Sequence, residues 1–420
     1  MLAETVSTPP SIPPRRDVSR RDFLQLSAAA AGLAPLLARG AGPAININDT
    51  RTLAQLTARY LTPQLEFNTV ERGDPLPYTL PIEKRREVGL ERETWRLEVI
   101  ADPQSNSVLE NALSTERGTV FTWDALMRLA EKKATRYLKA ITCNNLVAPL
   151  GMGLWEGVPL REVLWLAKPR ENIRHVYYHG YHNDDPKQMF QCWLPINRVL
   201  EDPPGDLPVM LCYKLNGEWL DGKRGGPVRM IVPEAYGFKS VKWLTHVVLT
   251  NNHQSNDTYA EGNNDTHSWL KTLARFADVP ERVKAGAPIP ITGAAQVGVG
   301  GLAKVQTWLH PKGAPLPPDD PHFATADWRD AEILPLPEKW AGDLDTSGLS
   351  GFDPATRRPR QWPMRYTIAL WATALRDVTP GEYELRCRTV DLAGNGQPMP
   401  RPFAKSGRNA IQKVPLIVEA

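Results

Sequence analysis

Cysteine is scarce in this chain, and its few copies form no known ligand motif. The four cysteines among the 420 residues lie far apart, and no pair is separated by two residues. The sequence therefore encodes no C-x-x-C site for a c-type haem, a zinc ribbon or an iron–sulfur cluster. Disulfides remain possible, but four scattered cysteines do not make a disulfide-rich scaffold.

An excess of one charge and a long hydrophobic run are also missing. The 50 Lys and Arg residues nearly balance the 47 Asp and Glu residues, for a net charge of +3. Nothing in this balance indicates binding to nucleic acid or to an anionic membrane surface. The apolar run from Leu26 to Leu37 is shorter than the ~20 residues that a membrane-spanning helix needs. We therefore expect no nucleic-acid partner and no membrane anchor.

The N-terminus does contain the features of an export signal. Arg20 and Arg21 precede Phe23-Leu24, and the apolar run and small residues follow. The arginine pair makes the segment similar to a twin-arginine signal, and a buried N-terminal helix is the alternative. We expect residues 1–45 to be a signal peptide that directs a folded protein to the periplasm. Proteins exported by this route often carry a cofactor inserted beforehand.

The rest of the chain is long enough for two domains, and its pattern changes near residues 278–286. Before the change, predicted strands alternate with helices over residues 52–60, 123–137 and 269–276, with Thr122 or Thr119 as the cap of the middle helix. After it, short alternating runs punctuated by Gly, Pro and Asp are typical of a β-sandwich. We predict an α+β domain over residues 46–280 and a sandwich over residues 281–420.

Cys143 is the first residue with possible chemistry. It ends a predicted strand and is followed by Asn144 and Asn145. A thiolate is a soft ligand that suits copper, iron or molybdenum. A lone cysteine is more often a small buried residue, so the surrounding segments have to decide.

A basic segment further along suits a phosphorylated cofactor. It reads K-R-G-G-P-V-R-M-I-V-P over residues 223–233 and Y-G-F-K-S-V-K-W over residues 236–243. The glycines let backbone N–H groups approach an anion, and Arg229 can bind a phosphate with two hydrogen bonds. A solvated surface loop is the alternative, but the apolar residues around the cations argue against it.

These segments together resemble the sulfite oxidase family of molybdopterin-dependent oxidoreductases. The basic segment follows Cys143 and W-E-G-V-P-L-R-E-V-L (residues 155–164) at the distance typical of that family. Lys304-Val305-Gln306 and residues 387–398 resemble the family's C-terminal domain. The resemblance implies an α+β, sulfite oxidase-type molybdopterin-binding domain, then an immunoglobulin-like β-sandwich for dimerisation, and therefore a homodimer.

The resemblance also implies a set of site residues. Cys143 would be the protein ligand of molybdenum, and one molybdopterin would supply the other sulfurs. Tyr259 and Asn264 compete for the position of the family's active-site tyrosine. His179 and His182 flank Gly180 at a predicted strand end and could reach the pocket, although structural histidines are commoner. The predicted catalytic residues are Cys143, Asn68, His179 and Tyr259, and the predicted cofactor contacts are Asn68, Glu71, Arg72, Gly180, Arg224, Arg229, Ser240, Val241 and Lys242.

The function implied is oxidation of sulfite or a related small sulfur compound, with electrons passed to a c-type cytochrome. We expect no haem and no iron–sulfur cluster, because the cysteines form no C-x-x-C motif. We also expect no NAD, because Gly151 to Gly157 only approximates a dinucleotide fingerprint, its third glycine being one place late. Asn68 stands where sulfite-oxidising members carry an arginine, which resembles the methionine-sulfoxide-reducing branch. The alternatives are thus a sulfoxide reductase and a binding protein that has lost its metal.

Overall fold

The computed structural model describes residue 51 and residues 60–203, 205–253, 257–318, 320, 322–336 and 345–420. The predicted signal peptide lies outside these ranges, as does nearly all of the helix predicted over residues 52–60. In the described ranges, no helix is both long and apolar enough to cross a membrane.

The first part of the described chain builds two five-stranded sheets. Their strands are β1 Arg96–Ala101, β2 Phe121–Thr122, β3 Thr135–Ile141, β4 Gly151–Pro159, β5 His175–Gly180, β6 Gln191–Pro195, β7 Met210–Leu215, β8 Glu218–Trp219, β9 Arg229–Ile231 and β10 Leu244–Thr250. One sheet has the order β2-β1-β10-β5-β6, with β1 and β10 parallel. The other has the order β3-β4-β7-β8, with β9 also paired to β7.

Short helices and single 3₁₀ turns connect these strands. The α-helices are α1 Ile82–Glu87, α2 Trp123–Lys133, α3 Leu160–Leu164, α4 Ile196–Leu200 and α5 Thr258–Glu261. The 3₁₀ turns are Gln64–Glu66, Pro77–Thr79, Arg92–Thr94, Trp165–Ala167, Pro186–Gln188, Gly222–Arg224 and Gly237–Lys239. The mixture of helices and strands confirms the α+β class.

Helix α2 begins where the sequence predicts and ends earlier. The Thr122 hydroxyl accepts a hydrogen bond from Ala125 N at 3.3 Å, which confirms Thr122 as the N-cap. The helix stops at Lys133 rather than near residue 137, because residues from Thr135 onward pair with β4. Sheet pairing thus overrides the helical spacing of the last residues and lengthens the strand that leads to Cys143.

The second part of the chain is the predicted β-sandwich. Its strands are β11 Leu273–Asp278, β12 Arg282–Lys284, β13 Ile289–Gln296, β14 Lys304–Pro311, β15 Arg329–Ile333, β16 Ile368–Leu375, β17 Gly381–Val390 and β18 Gln412–Glu419. The order is β11-β13-β16-β15-β14-β17-β18-β12. β15 pairs with β14 through its first residues and with β16 through its last, so one strand joins the two layers. Fully buried side chains, among them Trp371 and Leu385, fill the core.

The helix predicted over residues 269–276 is wrong. Leu273–Asp278 is strand β11, which pairs antiparallel with β13. The burial of both Leu273 and Ala274 hides the period of two that identifies a strand in sequence. The boundary predicted between residues 280 and 281 stays a prediction, although β11 already pairs within the sandwich.

The sandwich contacts the loop that follows β3. The Thr142 hydroxyl donates a hydrogen bond to Oε1 of Gln296, and both residues are 2% exposed or less. Further along, Arg408 N donates to Asn144 O at 3.2 Å. The residues on both sides of Cys143 are therefore held by the second part of the chain.

Candidate active site

Strand β3 carries Cys143 to a buried loop between the two parts of the chain. The loop turns at once, because Leu146 N donates to Cys143 O at 3.0 Å. It returns where Leu150 N bonds Ile141 O at 2.7 Å, and β4 follows. Cys143 is 9% exposed, and none of the chain's four cysteines forms a disulfide. Its thiol thus lies at the base of an enclosed turn.

Tyr259 reaches this loop from helix α5. Asp257 caps the helix by accepting a hydrogen bond from Tyr259 N at 2.9 Å. The Tyr259 ring stacks on Phe238, with centroids 3.8 Å apart, and its hydroxyl donates to Oδ1 of Asn144 at 3.1 Å. Burial, and then the neighbouring Cys143 thiol, raise the pKa of Tyr259. The phenol is therefore neutral at physiological pH.

Arg72 supplies a positive charge to the same place. Its guanidinium lies 3.9 Å from the centroid of the Phe190 ring, close enough for a cation–π interaction. Partial burial lowers the pKa of Arg72, while Tyr259, Cys192 and Cys143 nearby raise it. No acidic side chain of the described residues forms an ion pair with Arg72. Arg72, predicted as a cofactor contact, thus lies over Phe190, whose ring meets that of Tyr259 at 5.9 Å, as an unneutralised cation.

Of the two histidines at the end of β5, His182 faces this group. It is 4% exposed, and its Nδ1 lies 3.1 Å from Gly180 O. Burial first, with Arg72 and Lys242 adding to it, lowers the pKa of His182 to about 4, against the hydrogen bond to Gly180. His182 is therefore neutral at physiological pH.

His179 lies elsewhere. Its ring stacks on His246 of β10, with centroids 4.5 Å apart, and His246 lies 3.9 Å from Glu98 of β1. Burial, and then His246, lower the pKa of His179 to about 3. The preceding residue, Tyr178, points to the other side of the sheet, where its hydroxyl bonds Lys239 O. The structure does not bring His179 to Cys143. Side chains alternate along β5, so His179 points to the face of the sheet opposite to that of Tyr178.

The basic segment forms the other end of the site. Lys242 Nζ donates to Thr69 Oγ1 at 2.7 Å and to Lys223 O at 2.9 Å. Burial, followed by Arg229 and Arg224 nearby, lowers the pKa of Lys242 to about 7. A bound anion would favour its charged form again.

Arg229 and Arg224 hold the segment together. Arg229 is 5% exposed and donates to Arg224 O at 2.8 Å and to Ser240 O at 2.7 Å. The Nη atoms expected to grip a phosphate thus bind backbone carbonyls. Arg224 donates to Asn68 O at 3.3 Å and links the segment to the chain before β1. The Nε atoms of both arginines are buried donors without a partner.

Close backbone contacts require glycine at two points. A Cβ on Gly180 would overlap the carbonyl oxygen of Lys242 and lie 2.6 Å from that of Trp243. Gly225 has a φ of 97°, and a Cβ there would lie 2.6 Å from the Lys242 side chain. Gly180 therefore acts through packing, which brings the end of β5 against the basic segment.

The remaining predicted residues lie around these two groups. Asn68 is exposed, and its N–H bonds Leu150 O at 2.9 Å beside the Cys143 loop. Glu71 is exposed and accepts a hydrogen bond from Tyr78. The Ser240 hydroxyl accepts from Val232 N at 3.3 Å, and Val241 O accepts from Met230 N at 2.9 Å. Their roles as cofactor contacts stay predictions.

The residues present fit an anionic cofactor bound through a thiolate. In the described part of the chain, no group of three or more His, Cys, Asp or Glu side chains could hold a metal ion. A metal at Cys143 would thus take its other ligands from a cofactor. Buried donors without partners lie at both ends of the site: Asn144 Nδ2 beside Cys143, and Nε of Arg224 and Arg229 in the basic segment.

Sequence reasoning missed three residues of this site. Phe190, just before β6, and Cys192, on β6, lie near Arg72. Asn144 accepts a hydrogen bond from Tyr259. No motif marks Phe190 or Cys192. Asn144 directly follows Cys143, and this adjacency was its one available signal. Between Tyr259 and Asn264, it is the Tyr259 side chain that reaches the Cys143 loop.

Known proteins are similar to parts of this chain. Residues 87–258 match the oxidoreductase molybdopterin binding domain family. The mitochondrial sulfite oxidase of Rattus norvegicus is 28% identical over 52% of this chain and 38% of its own length. The NADPH nitrate reductase of Beauveria bassiana is 32% identical over 26% of this chain and 12% of its own length. The chain thus spans well under half the length of these relatives.

A solved structure shares the fold. The sulfane dehydrogenase SoxCD from Paracoccus pantotrophus superposes with a TM-score of 0.55 at 20% identity, covering 79% of each chain.

Proposed function

Because the chain belongs to the sulfite oxidase family of molybdopterin-binding oxidoreductases, we propose that it oxidises a small sulfur oxyanion such as sulfite. The oxidation adds one oxygen atom from water to sulfur and releases two electrons and two protons. A c-type cytochrome takes the electrons, one at a time. The protein works in the periplasm, as its twin-arginine segment suggests, and as a homodimer, which light scattering on the purified protein tests.

The observation that carries the choice of substrate is the unneutralised guanidinium of Arg72 over Phe190, next to Tyr259. Arg72 is exposed as a residue, so a solute can reach it, and its guanidinium rests on the Phe190 ring. The neighbours that perturb its pKa are Tyr259, Cys192 and Cys143, none of them a carboxylate. A guanidinium in this setting binds an oxyanion with charge-assisted hydrogen bonds.

The groups around Arg72 leave this charge uncompensated. Burial keeps Tyr259 a neutral phenol and keeps His182, with a pKa of about 4, a neutral imidazole. A neutral sulfoxide gains less from such a site than an anion does, because only the anion has a full charge to pair with Arg72. The electrostatics therefore favour sulfite over methionine sulfoxide.

The same chain can hold the cofactor. Cys143 would ligate the metal, and Lys242 with the backbone of residues 223–242 would bind the pterin phosphate. The molybdenum–molybdopterin group, when bound, supplies the two-electron redox chemistry. The protein supplies position, because Gly237 N of the basic segment donates to Thr142 O, beside Cys143, at 2.7 Å, and Arg229 fixes the basic segment itself.

Steady-state kinetics on molybdenum-loaded protein test this proposal. We expect turnover of sulfite with cytochrome c or ferricyanide, and little reduction of methionine sulfoxide by a reduced dye. Arg72→Gln should raise KM for sulfite at least tenfold, because it removes a charge-assisted contact of about 1.5–3 kcal/mol.

Arg388→Gln is the matched control, because Arg388 also lies over an aromatic ring, Trp328, but on strand β17 of the sandwich. Its KM for sulfite should stay within twofold. An Arg72→Gln enzyme with unchanged KM would contradict an anionic substrate bound at Arg72.

Reduction of a sulfoxide is the second candidate, and Asn68 is the observation that favours it. Asn68 lies exposed beside the Cys143 loop, where its amide could bind a neutral sulfoxide oxygen. The dye assay separates the two candidates. Elemental analysis for molybdenum comes first, since protein that takes up no metal where molybdopterin is made would be a binding protein.

A further inference from the structure

Asn144 has an environment unlike that of an ordinary loop residue. It directly follows the predicted metal ligand and is 2% exposed. Its backbone oxygen accepts from Arg408 N at 3.2 Å, so the sandwich fixes its main chain. Its Oδ1 accepts the Tyr259 hydroxyl at 3.1 Å, while Nδ2 is a buried donor without a partner. The buried amide thus has one side-chain partner, Tyr259.

Tyr259 is held on three sides, so the direction of its hydroxyl depends on Asn144. Phe238 stacks on one face of its ring with planes 8° apart, and Phe190 meets it edge-on at 5.9 Å. Asp257 binds its backbone N–H. The ring position is therefore set by packing, while the hydroxyl is directed by its hydrogen bond to Asn144.

A phenol hydroxyl has one proton to donate and lone pairs to accept with. When the hydroxyl donates its hydrogen bond to Asn144, the phenol oxygen can only accept hydrogen bonds from other groups. We infer that Asn144 is a positioning residue. By accepting the hydrogen bond from the Tyr259 hydroxyl, it leaves the phenol oxygen as an acceptor. The substrate then binds through a protonated oxygen at Tyr259 and through its anionic oxygens at Arg72. The inference rests on the proposed function for the identity of this substrate.

The hydroxyl's orientation can be measured without substrate or metal. The ultraviolet resonance Raman doublet of tyrosine distinguishes a phenol that donates a hydrogen bond from one that accepts. The difference spectrum between the wild type and Tyr259→Phe isolates Tyr259 from the other tyrosines. We expect a donor signature in the wild type, its retention in Asn144→Asp and its loss in Asn144→Leu. A wild type without that signature, or an Asn144→Leu protein that keeps it, would overturn the inference.

Kinetics on molybdenum-loaded protein give the second readout. Asn144→Leu should lower kcat/KM for sulfite about tenfold, as expected for one lost hydrogen bond. Asn144→Leu combined with Tyr259→Phe should cost little more than either change alone, because both remove the same interaction.

Asn145→Leu is the matched control, since Asn145 is the next residue and, among the described residues, the Tyr259 hydroxyl bonds Asn144 and not Asn145. Its effect should add to that of Tyr259→Phe. Additive effects of Asn144→Leu and Tyr259→Phe would refute the positioning role. An intact donor signature in a protein that does not oxidise sulfite would instead refute the proposed function and leave the Asn144–Tyr259 pairing standing.

Discussion

At the scale of single residues, the site combines one soft ligand with groups that burial keeps neutral. Cys143, Tyr259 and His182 lie in an enclosed region, where desolvation disfavours the charged forms of the phenol and the imidazole. Arg72 is the exception, because a guanidinium stays charged even when partly buried. One cation among neutral groups is an arrangement that selects for an anion.

Cys143→Ser should abolish turnover and leave the fold intact. Serine differs little from cysteine in volume, but its hydroxyl is a harder and poorer donor to molybdenum. Activity with the preferred sulfur substrate and the circular dichroism spectrum check this. A variant that stays active with metal bound would show that Cys143 is not the ligand.

Acid should destabilise the protein through His182. Its pKa falls from an ordinary 6.5 to about 4 on folding, mainly through burial. Between these values the unfolded chain binds the proton and the folded chain does not. Stability is therefore complete above pH 6.5, falls as the pH drops, and loses about 3 kcal/mol by pH 4. Urea unfolding at several pH values measures this slope.

The controls for this prediction are two substitutions. His182→Gln should flatten the slope between pH 6.5 and 4, whereas His253→Gln, at an exposed histidine, should not. His179, His246 and His267, whose pKa values are also lowered, should contribute to the slope that remains in His182→Gln. An identical slope in His182→Gln and the wild type would contradict the assignment.

At the scale of elements, the site depends on where strands end. β3 ends one residue before Thr142 and presents Cys143, while β5 ends at Gly180 against the backbone of Lys242 and Trp243. The basic segment is folded on itself by Arg229, which bonds two of its carbonyls. The Gly180 contact involves backbone alone, whereas the Arg229 contacts occupy both of its Nη atoms and leave Nε without a partner.

Gly180→Ala should lower both stability and cofactor retention. The added Cβ overlaps the Lys242 carbonyl oxygen, and two backbone segments must separate to make room. Overpacking of this kind costs about 1–3 kcal/mol. Urea unfolding and pterin fluorescence after gel filtration measure the two effects.

Gly396→Ala is the matched control, because the nearest group to its Cβ is Arg388 Nη1 at 3.8 Å and its φ is not positive. It should change neither quantity. Full pterin content in Gly180→Ala would mean that the contact does not shape the cofactor site.

At the scale of the whole molecule, the sandwich is part of the site's support. Gln296 binds Thr142 on one side of Cys143, and the backbone of Arg408 binds Asn144 on the other. The two parts of the chain thus hold the ligand loop between them. The Cys143 loop should therefore be ordered only when both parts are folded.

The purified protein should need an external electron acceptor. Oxidation of the substrate releases two electrons, and the chain has no C-x-x-C-H motif or set of cysteines for an iron–sulfur cluster. We expect no haem Soret band, and turnover with cytochrome c or ferricyanide only. Sustained sulfite oxidation with oxygen as the sole acceptor would contradict this prediction.

Much of the outline could be predicted because it depends on local patterns. The strand before Cys143, the helix cap at Thr122 and the alternating strands of the sandwich follow from side-chain period and capping chemistry, which neighbouring residues determine. The basic segment was recognisable because its glycines and cations occur together in sequence. The family resemblance rests on the same contiguous segments.

The tertiary structure decided which of these residues meet. Arg72 lies over Phe190, and Tyr259 rather than Asn264 reaches Asn144, because folding joins segments that are far apart in sequence. His182 faces the site and His179 does not, because His179 lies on β5 and stacks on His246 of the neighbouring strand β10, whereas His182 follows the end of β5. No local pattern reveals that neighbour. For the same reason residues 273–278 are a strand: their partner β13 lies in the sandwich, and pairing with it outweighs the local spacing.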